Sequence, residues 1–246
     1  MMECNKDFWK IRSEKFGNLE WIKRENFLRA FISFCKPQKS FEALDLGSGT
    51  GIVTRQLSTK VNSVIGVDIS PEMINKASQD NNDVIEYQLM DAENLLFPDE
   101  HFDLITARMV FHHIEHPDKA MKEAFRVLKR GRHMVLCEGV PPDRSVQQRY
   151  VEIFKLKEKR HTFFEDDLSG LFKRAGFRDV IIKPYIMKQV SMRNWLNNSG
   201  LSDEICNKIV KLHLEGDDNF KRLYNMKISL EDILFDWKFV FISGLK

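Results

Sequence analysis

The run Ala43-Leu44-Asp45-Leu46-Gly47-Ser48-Gly49-Thr50-Gly51 constrains this chain more than any other. It is an apolar strand that ends in an acid and passes straight into a glycine loop. A second short apolar run, Val64-Ile65-Gly66-Val67, ends in Asp68 about 20 residues further on. Strand, glycine loop, helix, strand and terminal acid, in that order, make a nucleotide or nucleoside cofactor site at the carboxyl end of a parallel sheet.

The identity of the cofactor turns on two details. A dinucleotide fingerprint needs Gly-x-Gly-x-x-Gly, and counting from Gly47 the third glycine position holds Ile52. Gly-x-Gly-x-Gly stands there instead, preceded by Asp45. In a dinucleotide site the glycines bring backbone N–H groups against a pyrophosphate, and an adjacent carboxylate would repel it. A cofactor without phosphate that carries a cationic group suits the acid. S-adenosyl-L-methionine is such a molecule, with a sulfonium, an ammonium, a ribose and an adenine.

The rest of the chain alternates strand and helix. Strands are expected at about 41–46, 62–68, 84–89, Phe102 to Ala107 and Met134 to Cys137. Ser70-Pro71-Glu72 is a helix start, with a capping hydroxyl, a proline in the first turn and an acid near the positive end of the helix dipole. Pro117-Asp118 opens a second helix with an apolar stripe of Ala120, Met121, Ala124, Phe125, Val127 and Leu128. Short apolar strands joined by helices predict a parallel sheet with right-handed crossovers. Before it, the apolar spacing over 5–35 predicts two helices broken near Gly17-Asn18, the second stopped by Pro37. After it, 145–160 reads as a charged helix with a solvated face, and Glu165 to Ala175 as a helix ended by Gly176. Val180 to Tyr185 and Phe235 to Ile242 read as the last two strands, with a helical cap inserted at about 191–230. The expected architecture is a Rossmann-like, mostly parallel seven-stranded α/β sheet with helices on both faces and an antiparallel last strand. One domain is expected over 1–246, its core at about 40–190 and 231–246.

Composition narrows the partners. Thirty-eight basic against 36 acidic residues give a net charge of +2, which makes no electrostatic case for nucleic acid or an anionic membrane. Cys4, Cys35, Cys137 and Cys206 are scattered, without a Cys-x-x-Cys pair, so zinc ribbons and iron–sulfur clusters lack their ligands. Reduced thiols, a polar N-terminus and no run long enough for a membrane span lead to the expectation of a cytoplasmic protein.

With these residues in place, the chain resembles the class I S-adenosylmethionine-dependent methyltransferases, in particular the small-molecule group similar to the ubiquinone/menaquinone-type enzymes. The resemblance is strong over about 40–140 and architectural elsewhere. It is carried by Ala43 to Gly51, Gly66-Val67-Asp68-Ile69-Ser70, Met90-Asp91-Ala92-Glu93, Phe102-Asp103-Leu104-Ile105 and Arg126-Val127-Leu128-Lys129. It implies S-adenosyl-L-methionine as cofactor, with Gly47, Ser48 and Gly49 around its methionine part and Asp45 near the ammonium. Asp68 takes both ribose hydroxyls, Ile69 and Met73 pack on the adenine, Asp91 accepts from the adenine amino group, and the Ala92 backbone donates to a ring nitrogen. Ala107 and Arg108 are placed to offer a carbonyl to the ammonium. As plain structure, Asp45, Asp68 and Asp91 would be turn acids. The family's usual Pro-Gly-Gly turn is replaced here by Lys129-Arg130-Gly131-Arg132, away from the cofactor end.

Methyl transfer is an in-line displacement that needs a base only if the nucleophile arrives protonated. His112, in Phe111-His112-His113-Ile114-Glu115-His116, follows the fourth strand. Plant-type small-molecule O-methyltransferases are similar there, with a catalytic His at the matching place, and Glu138 matches an acid that flanks it. His112 is thus a base, or a structural or substrate-positioning histidine; Glu138 is its partner, or a strand-end acid. No carboxylate pair in the sequence neighbourhood completes a metal set with His112, His113 and His116, so no metal is expected. Thr106-Ala107-Arg108-Met109-Val110 stands where base-amine methyltransferases carry Asn/Asp-Pro-Pro-aromatic. Phe8, Trp9, Phe16, Trp21, Tyr150, Phe154, Phe163, Phe164, Trp195 and Tyr224 are core or line the acceptor pocket. The expected reaction is methylation of a small apolar or aromatic acceptor, with oxygen favoured over carbon and nitrogen. A non-catalytic cofactor-binding module and an RNA or protein methyltransferase are the alternatives.

Overall fold

A computed structural model describes residues 14–15, 17–80 and 82–246. The first predicted N-terminal helix, with Phe8, Trp9 and Phe16, lies outside the described residues, as does Cys4. The second forms: a 3-10 turn at Glu20–Lys23 leads into α1, Glu25–Cys35. Its ending is set by Lys36, which takes a left-handed conformation just before Pro37.

The alternating elements follow as expected. β1 is Glu42–Leu46, α2 Ile52–Ser58, β2 Ser63–Asp68, α3 Pro71–Ala77, β3 Ile85–Leu89, β4 Phe102–Arg108 and α4 Pro117–Val127. Ser70 caps α3 by accepting the Met73 N–H at 3.3 Å. β5 is Leu128–Gly139, α5 Gln147–Lys157, α6 Glu165–Ala175 and β6 Arg178–Ser191. Three short helices then form the insertion, α7 Met192–Asn197, α8 Asp203–Leu214 and α9 Asp218–Leu223, each started by a side-chain cap from Ser191, Ser202 and Asp217 respectively. A two-residue β7, Lys227–Ile228, and the long β8, Ile233–Leu245, close the chain.

The sheet order is β3-β2-β1-β4-β5-β8-β6, with β7 added beside β8. β8 runs antiparallel to both β5 and β6, while the β1, β2, β3, β4 and β5 pairings are parallel. Strand order reverses between β1 and β4, which opens a crevice at the carboxyl ends of those strands. Alternate residues serve the two faces: Phe235, Trp237, Phe239 and Phe241 of β8 join one core with α1, while Val240 and Ile242 join the other with α4 and α6.

Two strands are longer than their hydrophobic runs. The turn expected at Lys129-Arg130-Gly131-Arg132 is part of β5. Gly131, at a φ of +71°, lets the strand bend, and its N–H donates to the Lys246 carbonyl at 3.0 Å. Asp103 holds the same stretch through Lys129 at 2.9 Å and Arg132 at 3.1 Å. β6 continues past Tyr185 because its pairing with β8 resumes after a bulge at Met187 to Val190. Pro184 is tolerated because β6 is an edge strand.

Arg126, at the end of α4, fixes the loop that follows β3. Its guanidinium donates to the carbonyls of Phe97 and Leu95 and to Asp99, each at 2.8 Å, while Glu123 accepts from its Nε at 2.9 Å. Arg126→Ala should lower unfolding free energy by about 1–2 kcal/mol, read from the urea midpoint. Arg126→Lys should restore only part, because an ammonium cannot span the fork.

Candidate active site

The crevice is a cavity of about 900 Å³. At its cofactor end the glycine loop is wound tightly. Gly47 has a φ of +62°, and a Cβ there would come within 2.2 Å of the Val110 side chain, so no larger residue fits. Ser48 N–H donates to the Val67 carbonyl, and Gly49 N–H to Asp68 Oδ2, both at 2.9 Å. The other oxygen of Asp68 accepts the Ser70 N–H at 2.9 Å. Burial pushes the Asp68 carboxyl up, and the backbone donors of Ser70, Gly49 and Ile69 oppose that shift. The carboxylate is therefore oriented by the fold and retains lone pairs toward the cavity that it lines.

S-adenosylmethionine fits what surrounds it. Among the described residues, the buried Ser48 hydroxyl has no partner and nothing crowds the Gly49 α-carbon. Ile69 is 54% exposed in the cavity wall, an apolar face left uncovered, with Met73 buried nearby in the same wall. Asp91 and Ala92 line the same end, Asp91 accepting the Glu93 N–H at 2.9 Å in a local turn. Asp45 is buried on the floor, where Thr54 donates to one oxygen at 2.7 Å and Thr106 to the other at 2.9 Å. Burial raises its carboxyl to about 6, against both threonine bonds and the nearby Arg108. Of the two residues at the end of β4, only Arg108 reaches the cavity. Ala107 packs wholly into the core because its side chain falls on the α4 face of the sheet.

The other end is built on His112. Its Nδ1 lies 2.6 Å from Glu138 Oε2, and both side chains are almost fully buried. Glu138 Oε1 also faces the His112 backbone N–H at 3.4 Å. Burial lifts the Glu138 carboxyl to about 7, opposed by the charge of Arg160 and the backbone N–H groups of His112, Phe111 and Val110. The solvated face expected for 145–160 is only partly observed. Lys157 and Glu158 are buried and Arg160 is half-buried, all three in the cavity wall. The chain leaves α5 at Lys157 and turns inward, and the charges are satisfied by each other: Lys157 Nζ sits 2.6 Å from one Glu158 oxygen and Arg160 3.3 Å from the other. Sequence periodicity could not find this, because a buried ion pair and an exposed one have the same spelling.

Glu158 also stands with His112 and His113, their ligand-type atoms all within 4.8 Å. A carboxylate distant in sequence thus does join the histidines. Both of its oxygens are engaged by Lys157 and Arg160, however, which places two positive charges where a cation would have to bind.

Trp21, Phe154 and Trp195 line the cavity as the sequence suggested. Tyr150, Phe163, Phe164 and Tyr224 are buried core residues outside its lining. Trp237 of β8 was missed, although its place in the alternating run Phe235-Trp237-Phe239-Phe241 marks it as facing the same side as α1.

Comparison with known proteins agrees with this geometry. Residues 44–136 match the family described as a methyltransferase domain. This part of the chain is similar to methyltransferase domains. Among relatives, an uncharacterized methyltransferase YcgJ of Bacillus subtilis is 34% identical over 139 residues, 54% of this chain and 55% of that protein. A demethylmenaquinone methyltransferase of Bacteroides fragilis is 31% identical over 135 residues, 51% and 54% of the two chains. The chain thus spans about half the length of the curated relatives it matches. The crystal structure of the Bacillus subtilis YcgJ protein shares the fold with a TM-score of 0.83 at 23% identity, over 91% of this chain and 99% of that one.

The raised Glu138 carboxyl has a consequence for stability. Between an ordinary value of 4.5 and about 7, the folded protein keeps a proton that the unfolded chain releases. Stability should therefore fall as pH rises through that window. Urea unfolding across this range should show the decline, and Glu138→Gln should make it shallower; Asp45, shifted in the same direction, accounts for part of what remains.

Proposed function

We propose that the protein is an active methyltransferase that methylates the hydroxyl oxygen of a small aromatic acceptor. The observation that carries this reading is the buried His112–Glu138 pair at 2.6 Å, whose histidine lines the cavity that the glycine loop also lines. A histidine coupled to a buried carboxylate is equipped to take a proton from a weakly acidic hydroxyl.

The cofactor supplies an electrophilic methyl group on a sulfonium. The residues of the chain bind and align the two partners. Asp68 accepts from the ribose hydroxyls, a bidentate task for which its backbone donors already orient it. Asp91 and the Ala92 backbone address the adenine edge, and Ile69 with Met73 its face. Gly47, Ser48 and Gly49 surround the methionine part. Asp45 answers its ammonium, and the Arg108 guanidinium, in the same wall, suits its carboxylate. Glu138 accepts from Nδ1–H of His112, which makes Nε2 the nitrogen that exchanges the proton of the acceptor. Trp21, Phe154, Trp195 and Trp237 give the acceptor an aromatic wall of mutually tilted rings and exclude water from it.

A second reading comes from the relatives named as demethylmenaquinone methyltransferases. The same base acting on a ring hydroxyl would make a neighbouring ring carbon nucleophilic, and the methyl group would then go to carbon. We also read the chain as one domain with a helical cap and place it in the cytoplasm. Support for the latter is that Cys35, Cys137 and Cys206 are free thiols and that no helix among the described residues is long and apolar enough to cross a membrane.

His112→Ala should reduce turnover of a cell-extract acceptor pool by about 10²- to 10⁴-fold, with methyl-labelled S-adenosylmethionine as donor. Its affinity for S-adenosylhomocysteine should stay near that of the unaltered protein. Asp68→Ala should do the reverse, weakening S-adenosylhomocysteine binding by about 10- to 10³-fold in calorimetry. Unchanged turnover in the first variant would reduce His112 to a structural role, and unchanged affinity in the second would remove the ribose assignment.

A further inference from the structure

Two glycines that stand out in the sequence do not touch the cavity. Gly51 closes the glycine loop and Gly66 interrupts the apolar run of β2, yet neither lines the crevice, so contact with a cofactor does not explain them. Gly66 also lies within a regular strand, where the backbone does not call for glycine. What the two share is room for one side chain. A Cβ at Gly66 would lie 2.7 Å from the Tyr87 ring, and a Cβ at Gly51 would lie 2.1 Å from the Tyr87 hydroxyl.

Tyr87 stands on β3 directly beside Gly66 on β2. Its ring packs on the bare Gly66 backbone, and its hydroxyl reaches the turn at Gly51, beside the Thr54 and Arg55 side chains of α2. Ser48 of the glycine loop crowds the same spot, with its Cβ 3.0 Å from where a Gly66 Cβ would be. Ring and loop therefore rest on one platform. Thr54 in turn donates to Asp45 at 2.7 Å. On the other side, β3 is the edge strand and leads straight to the adenine end of the crevice. Met90 N–H, just past the strand, donates to the Asp68 carbonyl at 3.0 Å, and Asp91 and Ala92 follow in the cavity wall.

We propose that Tyr87 is a positioning residue for the cofactor: its ring, lodged against Gly66 and Gly51, sets where the glycine loop stands relative to the end of β3. It thereby fixes the spacing between the groups that hold the methionine part and those that hold the adenine. This rests on the reading that Gly47, Ser48 and Gly49 surround the methionine part. A smaller side chain would leave a void between strand and loop, and the loop would lose the place that folding has prepared for it.

The test is calorimetry of the full chain with S-adenosylhomocysteine and with methylthioadenosine, which keeps the adenine, ribose and sulfur and lacks the amino acid. Tyr87→Leu should weaken S-adenosylhomocysteine by about tenfold and methylthioadenosine by less than about threefold. Tyr87→Phe keeps the ring and should hold S-adenosylhomocysteine within about twofold of the unaltered protein. Gly66→Ala drives a methyl group into the ring and should give the same selective loss without any change at Tyr87. Combined with Tyr87→Leu it should cost less than the two single losses added together. Urea unfolding of each variant reads the fold separately, and should Tyr87→Leu fail to fold, Gly66→Ala and Tyr87→Phe carry the comparison. Equal weakening of the two compounds, unchanged S-adenosylhomocysteine affinity in Gly66→Ala, or a Tyr87→Phe protein weakened by tenfold would overturn the proposal alone. Equal affinity of the unaltered protein for the two compounds would overturn the assignment of the loop to the methionine part, and the proposal with it.

Discussion

The carboxylate of Asp68 is held by two backbone N–H groups from different loops, and much of the site depends on that bridge. Gly49 reaches it from the turn after β1, and Ser70 from the start of α3. One side chain thus ties the glycine loop to the end of β2 while Ser70 caps the following helix. The bridge works because the glycine loop can adopt left-handed backbone at Gly47, Gly49 and Gly51, which an ordinary residue does only with strain. On the proposed reading of Asp68, a carboxylate positioned in this way would need no reorganisation to accept from a ribose diol, because folding already orients it.

At the other end of the cavity the same logic operates with more charge. His112, Glu138, Lys157, Glu158 and Arg160 are brought together from three elements, and each is satisfied by another member or by backbone. Buried ion pairs contribute little net stability, and removing one partner leaves an uncompensated charge. Such a cluster is better explained by chemistry than by folding. It sits where the aromatic wall ends, so that an acceptor would meet an apolar surface along its ring and proton-exchanging groups at one edge.

The local geometry at the glycine-loop end of the cavity was largely legible in the sequence, because it is written locally. The glycine loop, Asp68, the Ser70 cap and the strand boundaries depend on residues within one or two turns of each other. His112 and Glu138 were legible as a pair only through a family resemblance, since 26 residues separate them. Lys157, Glu158 and Arg160 were misread, because whether a charged helix end faces solvent or a cavity is decided by where the chain goes next. Strand alternation puts the Ala107 side chain on the α4 face and turns Arg108 beside it to the cavity; the carbonyl role expected of these two residues belongs to the backbone, which alternation does not decide. Trp237 was overlooked because periodicity names a strand's inward face and not which inward residue borders a void.

A crystal structure of the protein with bound S-adenosylhomocysteine tests the account most directly. The account predicts ribose hydroxyls on Asp68, adenine against Ile69, and the cofactor sulfur directed across the cavity toward His112, with room for one acceptor ring between them. A sulfur directed at another wall, with His112 screened from it by protein, would contradict the account.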